Sequence, residues 1–171
     1  MSSDGPALHI RDVRDPDLAA VHVINESAVP HVNSISLTRF RSFTGEAAYF
    51  RIALLDADLA GYLVAFAPGA GYDSVNYLWF QERYSDFLYI DRIAVAENAR
   101  RHRVASSLYQ DFFRFARPRT GRVTCEVNTR PANDESMAFH ERFGFRRVGS
   151  QKTDGGHKAV CLMALELDGP G

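Results

Sequence analysis

The chain has 171 residues, 46% of them hydrophobic and 24% charged, with 20 Lys and Arg against 21 Asp and Glu for a formal net charge of −1. That balance suits one globular domain with a full core and gives no global basic field, which disfavours nucleic acid as the main partner. No apolar run approaches the roughly 20 residues of a membrane span, and the start MSSDGPALHI lacks the basic and long apolar regions of a signal peptide, so a cytoplasmic protein is expected.

A single domain over residues 8–167 is predicted, with flexible tails at 1–7 and 168–171. Residues 8–13 alternate apolar and polar and read as a first strand. Asp15-Pro16 opens a helix, with Asp15 as N-cap and Pro16 in the first turn. Its apolar stripe is Leu18, Val21, Ile24 and Ala28, and Pro30 ends it. Residues 36–43 form a second short helix that stops near Gly45. Residues 49–55 and 59–66 are strands joined through Asp56-Ala57-Asp58 in a hairpin-like connection.

A long segment follows at residues 72–86, read as a loop and rich in aromatic side chains (Tyr72, Tyr77, Trp79, Phe80, Tyr84). Such a loop is either the wall or lid of a site or a cluster capping the edge of the sheet. Residues 87–95 are an apolar, β-branched strand. From residue 104, Val104, Leu108, Phe112 and Phe115 recur at spacings of three and four, one face of a helix that closes at Arg117-Pro118. Residues 122–128 (RVTCEVN) are a strand, residues 133–143 a helix ended by Gly144, and residues 145–150 and 159–165 the last two strands, joined by a turn at Asp154-Gly155-Gly156. Cys125 and Cys161 have no metal-like spacing and read as small core residues, so no metal site is expected.

The chemistry concentrates between the strand at 87–95 and the helix after it, where Arg100-Arg101-His102-Arg103-Val104-Ala105 leads into the helix. A helix N-terminus presents unpaired N–H groups and a partial positive charge, and three arginines and a histidine add fixed charge beside it. The arrangement suits a diphosphate.

These residues resemble the cofactor signature of the GNAT superfamily of N-acetyltransferases, Gln/Arg-x-x-Gly-x-Gly/Ala. Arg100 fills its first position and Ala105 its last; Arg103 stands where the first glycine is usual. Glycine there lets the backbone approach the pyrophosphate of acetyl-CoA. An arginine can still aim its N–H at a phosphate while its side chain swings outward. Residues 133–145 (NDESMAFHERFGF) resemble a second family pattern, Asn-x-x-Ala/Ser-x-x-x-Tyr-x-x-x-Gly-Phe, at the right separation. The strings YIDRIAV, CEVN and FHERFGF are close to a bacterial subgroup of predicted acetyltransferases. The resemblance implies an α/β (α+β) fold: a mixed, mostly antiparallel sheet of about seven strands, with splayed central parallel strands and about four helices.

It further implies acetyl-CoA (coenzyme A) as cofactor and acetyl transfer to a primary amine of a small molecule, amino acid or peptide by direct attack in a ternary complex. The main chain of Ile93, Ala94 and Val95 would pair with the pantetheine amides, and Arg100, Arg101, His102, Arg103, Val104, Ala105 and Ser106 would surround the pyrophosphate. Asn133, an N-cap by position, would also contact the cofactor arm, as would the Ser136 hydroxyl. His140 stands at the family tyrosine that protonates the leaving thiolate; histidine titrates in the neutral range, so it takes that role or only hydrogen-bonds the sulfur, the other reading being a helix histidine packed under the sheet. By the same resemblance, a homodimer through the last strands is a candidate assembly.

Two acids are candidate bases. Glu126 alternates with Val123, Cys125 and Val127, away from that apolar set, and Asp91 sits inside an otherwise apolar strand. Asp91 has Arg92 and Arg122 as candidate ion-pair partners, and the substrate amine is the other reading. Asn25, Glu26, Asn33 and Tyr77 are candidate acceptor contacts on walls formed by residues 25–43 and 72–84, and Tyr89 and Asn128, on the strands at 87–95 and 122–128, are two more. Two other readings keep the fold: a transferase for longer acyl-CoA donors, or a CoA-binding sensor with weakened catalysis.

Overall fold

Residues 5–168 are described in the computed structural model of the protein; the tail residues 1–4 and 169–171 lie outside them. The elements in chain order are β1 (Leu8–Asp12), α1 (Leu18–Ser27), α2 (Leu37–Glu46), β2 (Tyr49–Leu55), β3 (Asp58–Phe66), α3 (Val75–Arg83), β4 (Leu88–Val95), α4 (Val104–Ala116), β5 (Arg122–Arg130), α5 (Asp134–Arg142), β6 (Arg146–Thr153) and β7 (Lys158–Glu166). The seven strands form one mixed sheet in the order β1-β2-β3-β4-β5-β7-β6. Four of its ladders are antiparallel, and β4 with β5 is parallel. The fold class is as expected from the sequence, with five α-helices instead of four.

The chain divides into two compact units, one of Met1–Ala65 with Arg92–Arg114 and one of Phe66–Asp91 with Phe115–Gly171. In the first, β1, β2 and β3 form an antiparallel meander. The β2–β3 turn places Asp56 at φ 54°, and its carboxylate accepts the Ala7 N–H at 3.0 Å while its own N–H donates to the Ala7 carbonyl at 2.8 Å. Ala7, predicted as tail, is therefore tied to the hairpin. Helix α1 buries Leu18, Val21 and Ile24, the stripe expected from spacing. It begins at Leu18 and not at Asp15, because Asp15–Asp17 form a separate 3-10 turn. There the Asp17 carboxylate accepts the Arg14 N–H at 2.7 Å and is gripped by the Arg11 guanidinium at 2.7 and 2.9 Å. Helix α2 starts at a Ser36 cap, whose hydroxyl accepts the Arg39 N–H.

One glycine in β3 sets how closely the elements of this unit approach. A Cβ on Gly61 would lie 2.9 Å from the Ala94 carbonyl oxygen of β4 and 3.0 Å from Cγ1 of Val104 in the first turn of α4. Helix α4 is also fastened to β2, because Tyr49 and Arg51 both donate to the Asp111 carboxylate at 2.8 Å.

In the second unit β7 lies between β5 and β6. The segment read as a long aromatic loop contains helix α3. Ser74 caps it by accepting the Tyr77 N–H, and Tyr77 and Phe80, three residues apart, are fully buried. Its single tryptophan, Trp79, lies against β6, where a Cβ on Gly149 would fall 2.6 Å from the indole. The Arg83 guanidinium stacks 3.9 Å above the same ring. Cys125 and Cys161 are buried free thiols, as expected of small core residues, and burial pushes both thiol pKa values up. The turn at Asp154-Gly155-Gly156 forms where predicted, with φ of 54°, 61° and 90°. No helix among the described residues is long and apolar enough to cross a membrane.

Replacing Gly61 with alanine drives a methyl group into a backbone carbonyl, so the strand itself has to shift. The expected cost is about 1–3 kcal/mol, read as a fall of several degrees in Tm by calorimetry.

Candidate functional site

After Val95 closes β4, the Ala96 N–H donates to the Ala60 carbonyl at 2.8 Å and a 3-10 turn over Glu97–Ala99 redirects the chain. Arg100 to Arg103 then lead into α4. Arg101 and Arg103 have φ of 69° and 58°, the left-handed region that glycine enters freely and other residues enter at a cost. Position 103 thus keeps a glycine-like backbone with an exposed arginine on it. The Arg103 carbonyl accepts the Ser107 N–H at 3.0 Å, the first bond of α4. The preceding N–H groups, those of Val104, Ala105 and Ser106, belong to the turn a helix leaves without internal partners. The side chains of Arg100, Arg101, His102 and Arg103 are exposed, whereas Arg11, Arg51 and Arg122 each hold a carboxylate at 2.9 Å or less. Val104, Leu108 and Phe112 anchor the helix below them at 2% exposure or less.

An open groove of about 440 Å³ lies in the same unit, lined by Val23, Ile24 and Ser27 of α1 and by Ala96, Glu97 and Asn98 of the loop. The sequence reading missed it. Its signal is Val23, an apolar residue off the buried stripe of α1 that remains 68% exposed.

Two residues expected to meet the acceptor are committed elsewhere. Asn25 is fully buried. Its Oδ1 accepts the Tyr62 hydroxyl at 2.6 Å and Arg92 Nη1 at 3.1 Å, and its Nδ2 donates to the Asn33 carbonyl at 3.2 Å. Arg92 also donates to the Asn33 carbonyl at 3.1 Å and lies 5.8 Å above the rings of Phe40 and Phe43. Asn25 is a bracket for the loop after α1, because a buried amide needs partners and finds all of them within the protein. Glu26 accepts from Ser34 Oγ at 2.7 Å and from Asn25 Nδ2 at 3.0 Å, and these bonds hold its carboxyl below the usual range.

In the second unit the ladder between β4 and β5 pairs Leu88 with Val123 and Tyr89 with Thr124. Thr124, Glu126 and Asn128 share one face of β5 beyond Val123. The Tyr89 hydroxyl meets both oxygens of Glu126, at 2.7 and 2.9 Å. Tyr89, expected as an acceptor contact, is fully buried with its hydroxyl on Glu126. Tyr77, also fully buried, donates its hydroxyl to the Ala67 carbonyl at 2.6 Å and is likewise a core residue. Asp91 accepts the Tyr72 hydroxyl at 2.8 Å, and Tyr72 stacks on Phe66 at 4.2 Å. Arg122, a candidate partner for Asp91, pairs with Glu166 at 2.8 Å. Thr124 Oγ1 is buried without a hydrogen-bond partner.

Helix α5 opens as its sequence implied. The Asn133 side chain caps it by accepting the Ser136 N–H at 3.2 Å, and the Asn133 N–H donates to the Asn128 carbonyl at 3.0 Å. One turn on, His140 is buried among Phe139 and Phe145. Its Nδ1 lies 2.7 Å from the Ser136 carbonyl oxygen. A carbonyl only accepts, so this contact places a proton on Nδ1. Burial outweighs that bond and pushes the pKa of the ring down. His140 therefore rests neutral, and acting as an acid would require it to take up a proton first.

The structure thus groups Ile93, Ala94, Val95 and Arg100 to Ser106 in one unit. In the other it groups Tyr89 with Glu126, Tyr72 with Asp91, and Asn133, Ser136 and His140 on the first turns of α5. A family model described as the acetyltransferase (GNAT) family matches residues 18–145. No curated protein matches the sequence. Among solved structures, Ard1 from Thermoplasma volcanium is similar at a TM-score of 0.77 with 19% identity, covering 94% of this chain and 98% of that one. The ribosomal-protein-S18-alanine N-acetyltransferase from Escherichia coli is similar at 0.74 with 18% identity, covering 96% and 97%. Arabidopsis thaliana NAA60 in complex with a bisubstrate analogue gives 0.74 with 18% identity, covering 96% and 100%. At these identities the likeness is one of fold.

Arg103→Gly relieves a left-handed arginine and should raise stability by about 1 kcal/mol, seen as a higher Tm. The second expectation concerns His140. Its pKa is depressed in the folded state, so the unfolded chain binds the proton more readily. Its contribution is complete above the unfolded value near 6.5 and is lost as pH falls below it. Thermal melts between pH 5 and pH 8 should show stability falling toward acid, and His140→Phe should flatten that slope.

Proposed function

This chain belongs to the acetyltransferase (GNAT) family and is an N-acetyltransferase, and on that footing we propose that acetyl-CoA is its donor and a primary amine of a small molecule, amino acid or peptide its acceptor. The observation that carries the donor assignment is the left-handed backbone at Arg101 and Arg103 on the threshold of α4. Two left-handed residues in three positions turn the loop, and the first N–H groups of the helix and three arginines would serve one ligand. Strain of that kind is kept where a ligand uses it. The pyrophosphate would sit on the N–H groups of Val104, Ala105 and Ser106, flanked by Arg100, Arg101, His102 and Arg103. The main chain of Ile93, Ala94 and Val95 would hold the pantetheine amides, with the Val95 N–H directed at the thioester oxygen. Asn133 and Ser136 would line the rest of the arm.

Acetyl-CoA supplies an activated acyl group; the chain supplies position and proton traffic. The acceptor nitrogen would form its bond to the acetyl carbon as the carbon–sulfur bond breaks, in a ternary complex, and Glu126 would take the proton that the amine gives up. Asp91, held by Tyr72, would attract the amine while it is still an ammonium ion. The leaving group departs as the coenzyme A thiolate, and His140, neutral at rest, would have to take up a second proton before it could protonate the sulfur. The acceptors named by the similar structures, a ribosomal protein alanine among them, are compatible with this reading.

Calorimetric titration with acetyl-CoA tests the donor half. Wild type should bind, and Arg101→Ala/Arg103→Ala should lose at least tenfold in affinity, with a weaker salt dependence. Absence of binding by wild type would remove acetyl-CoA from the reading. On any amine that turns over, Glu126→Gln should cost on the order of 10²-fold or more in kcat/KM.

A further inference from the structure

Glu126 is held in a way that bears on its chemistry. It lies on β5 past the last residue paired with β4, two positions beyond Thr124, whose partner across the ladder is Tyr89. The Tyr89 side chain reaches forward from that pair and sets its hydroxyl 2.7 Å from one oxygen of Glu126 and 2.9 Å from the other. The hydroxyl thus lies within hydrogen-bond reach of both oxygens of the carboxylate. The phenol cannot swing away, because its ring is fully buried against Tyr77 and Phe80 with centroids 5.6 and 5.8 Å apart.

We propose that Tyr89 is the positioning residue of the reaction, holding Glu126 in one orientation and in its ionised form so that it is ready to receive the proton of the acceptor amine. The proposal rests on the reading of Glu126 as base. A hydroxyl donated to a carboxylate favours the charged form. Tyr89 itself stays protonated: burial, then the charges of Glu126 and Asp91 and the neighbouring Tyr72, drive its own ionisation far out of the working range. It is a fixed donor and not a second acid.

The titratable groups around Glu126 set the direction of the effect. Tyr89 and Asp91 come from β4, and Tyr72, which donates to Asp91, from the segment before α3. Tyr77 of α3 turns its hydroxyl to the Ala67 carbonyl. Cys125, next to Glu126 on β5, stays a neutral thiol. The Tyr89 hydroxyl favours the ionised form of Glu126, and the negative charge of Asp91 opposes it. Loss of the Tyr89 hydroxyl should therefore move the titration of Glu126 upward, by about one to two pH units.

The test is a carbon-13 NMR titration of the Glu126 carboxyl in wild type and Tyr89→Phe, alongside the pH profile of kcat/KM on a primary amine. The expected result is a higher Glu126 pKa in the variant, with the acid limb of the profile displaced by the same amount and the plateau less affected. An unmoved carboxyl titration overturns the proposal. Should Tyr89→Phe fail to fold, 3-fluorotyrosine at position 89, a stronger donor of the same shape, should move the titration downward, and no movement again overturns it. Glu126→Gln at full activity would instead overturn the reading of Glu126 as base, while the NMR titration would still decide what Tyr89 does.

Discussion

The turn out of β4 is the constraint from which the rest of the first unit follows. A strand must give way to a helix within eight residues, and the helix must begin with its N–H groups free. That is achieved by putting Arg101 and Arg103 into left-handed backbone, a conformation that costs about 1–3 kcal/mol for residues other than glycine. The surroundings keep the turn in place. The Ala96 N–H is fixed to β3, Val104 is buried in the first turn, and Gly61 leaves room for Val104 and the Ala94 carbonyl to approach β3. Asp111, gripped by Tyr49 and Arg51, prevents the far part of α4 from rotating.

Within each unit the polar groups near the sheet follow one rule: a charge or amide taken from water is given partners at once. Arg92 and Asn25 satisfy each other and the Asn33 carbonyl; Tyr72 satisfies Asp91 and Tyr89 satisfies Glu126. Thr124 Oγ1 departs from the rule, a buried hydroxyl without a partner one position-pair away from Glu126. In the second unit two acids of the sheet, Asp91 and Glu126, are each held by a neutral tyrosine hydroxyl, which favours their charged form without cancelling its field.

Much of this was legible in the sequence, and the reasons differ by element. The stripe of α1, the cap at Asn133 and the turn at Asp154-Gly155-Gly156 are local signals written in residue type and spacing. The cationic loop was legible because arginines before an amphipathic helix have few other uses. Helix α3 was not, because Tyr, Trp, Phe, Val and Asn are indifferent helix formers and their density suggested a wall. The hydrogen-bond partners of three expected acceptor contacts were illegible for another reason. Asn25, Tyr77 and Tyr89 are polar residues in apolar company, and sequence cannot tell a polar atom aimed at a ligand from one aimed at Tyr62, Ala67 or Glu126.

The packing of Trp79 on Gly149 makes the second unit optically distinct. The chain has one tryptophan, and its indole lies between a glycine of β6 and the guanidinium of Arg83. Excitation at the red edge of protein absorption therefore reports on one side chain, at the contact of α3 with β6 and nowhere else. Its emission should be blue-shifted while that contact holds and should move toward the wavelength of free indole when β6 detaches.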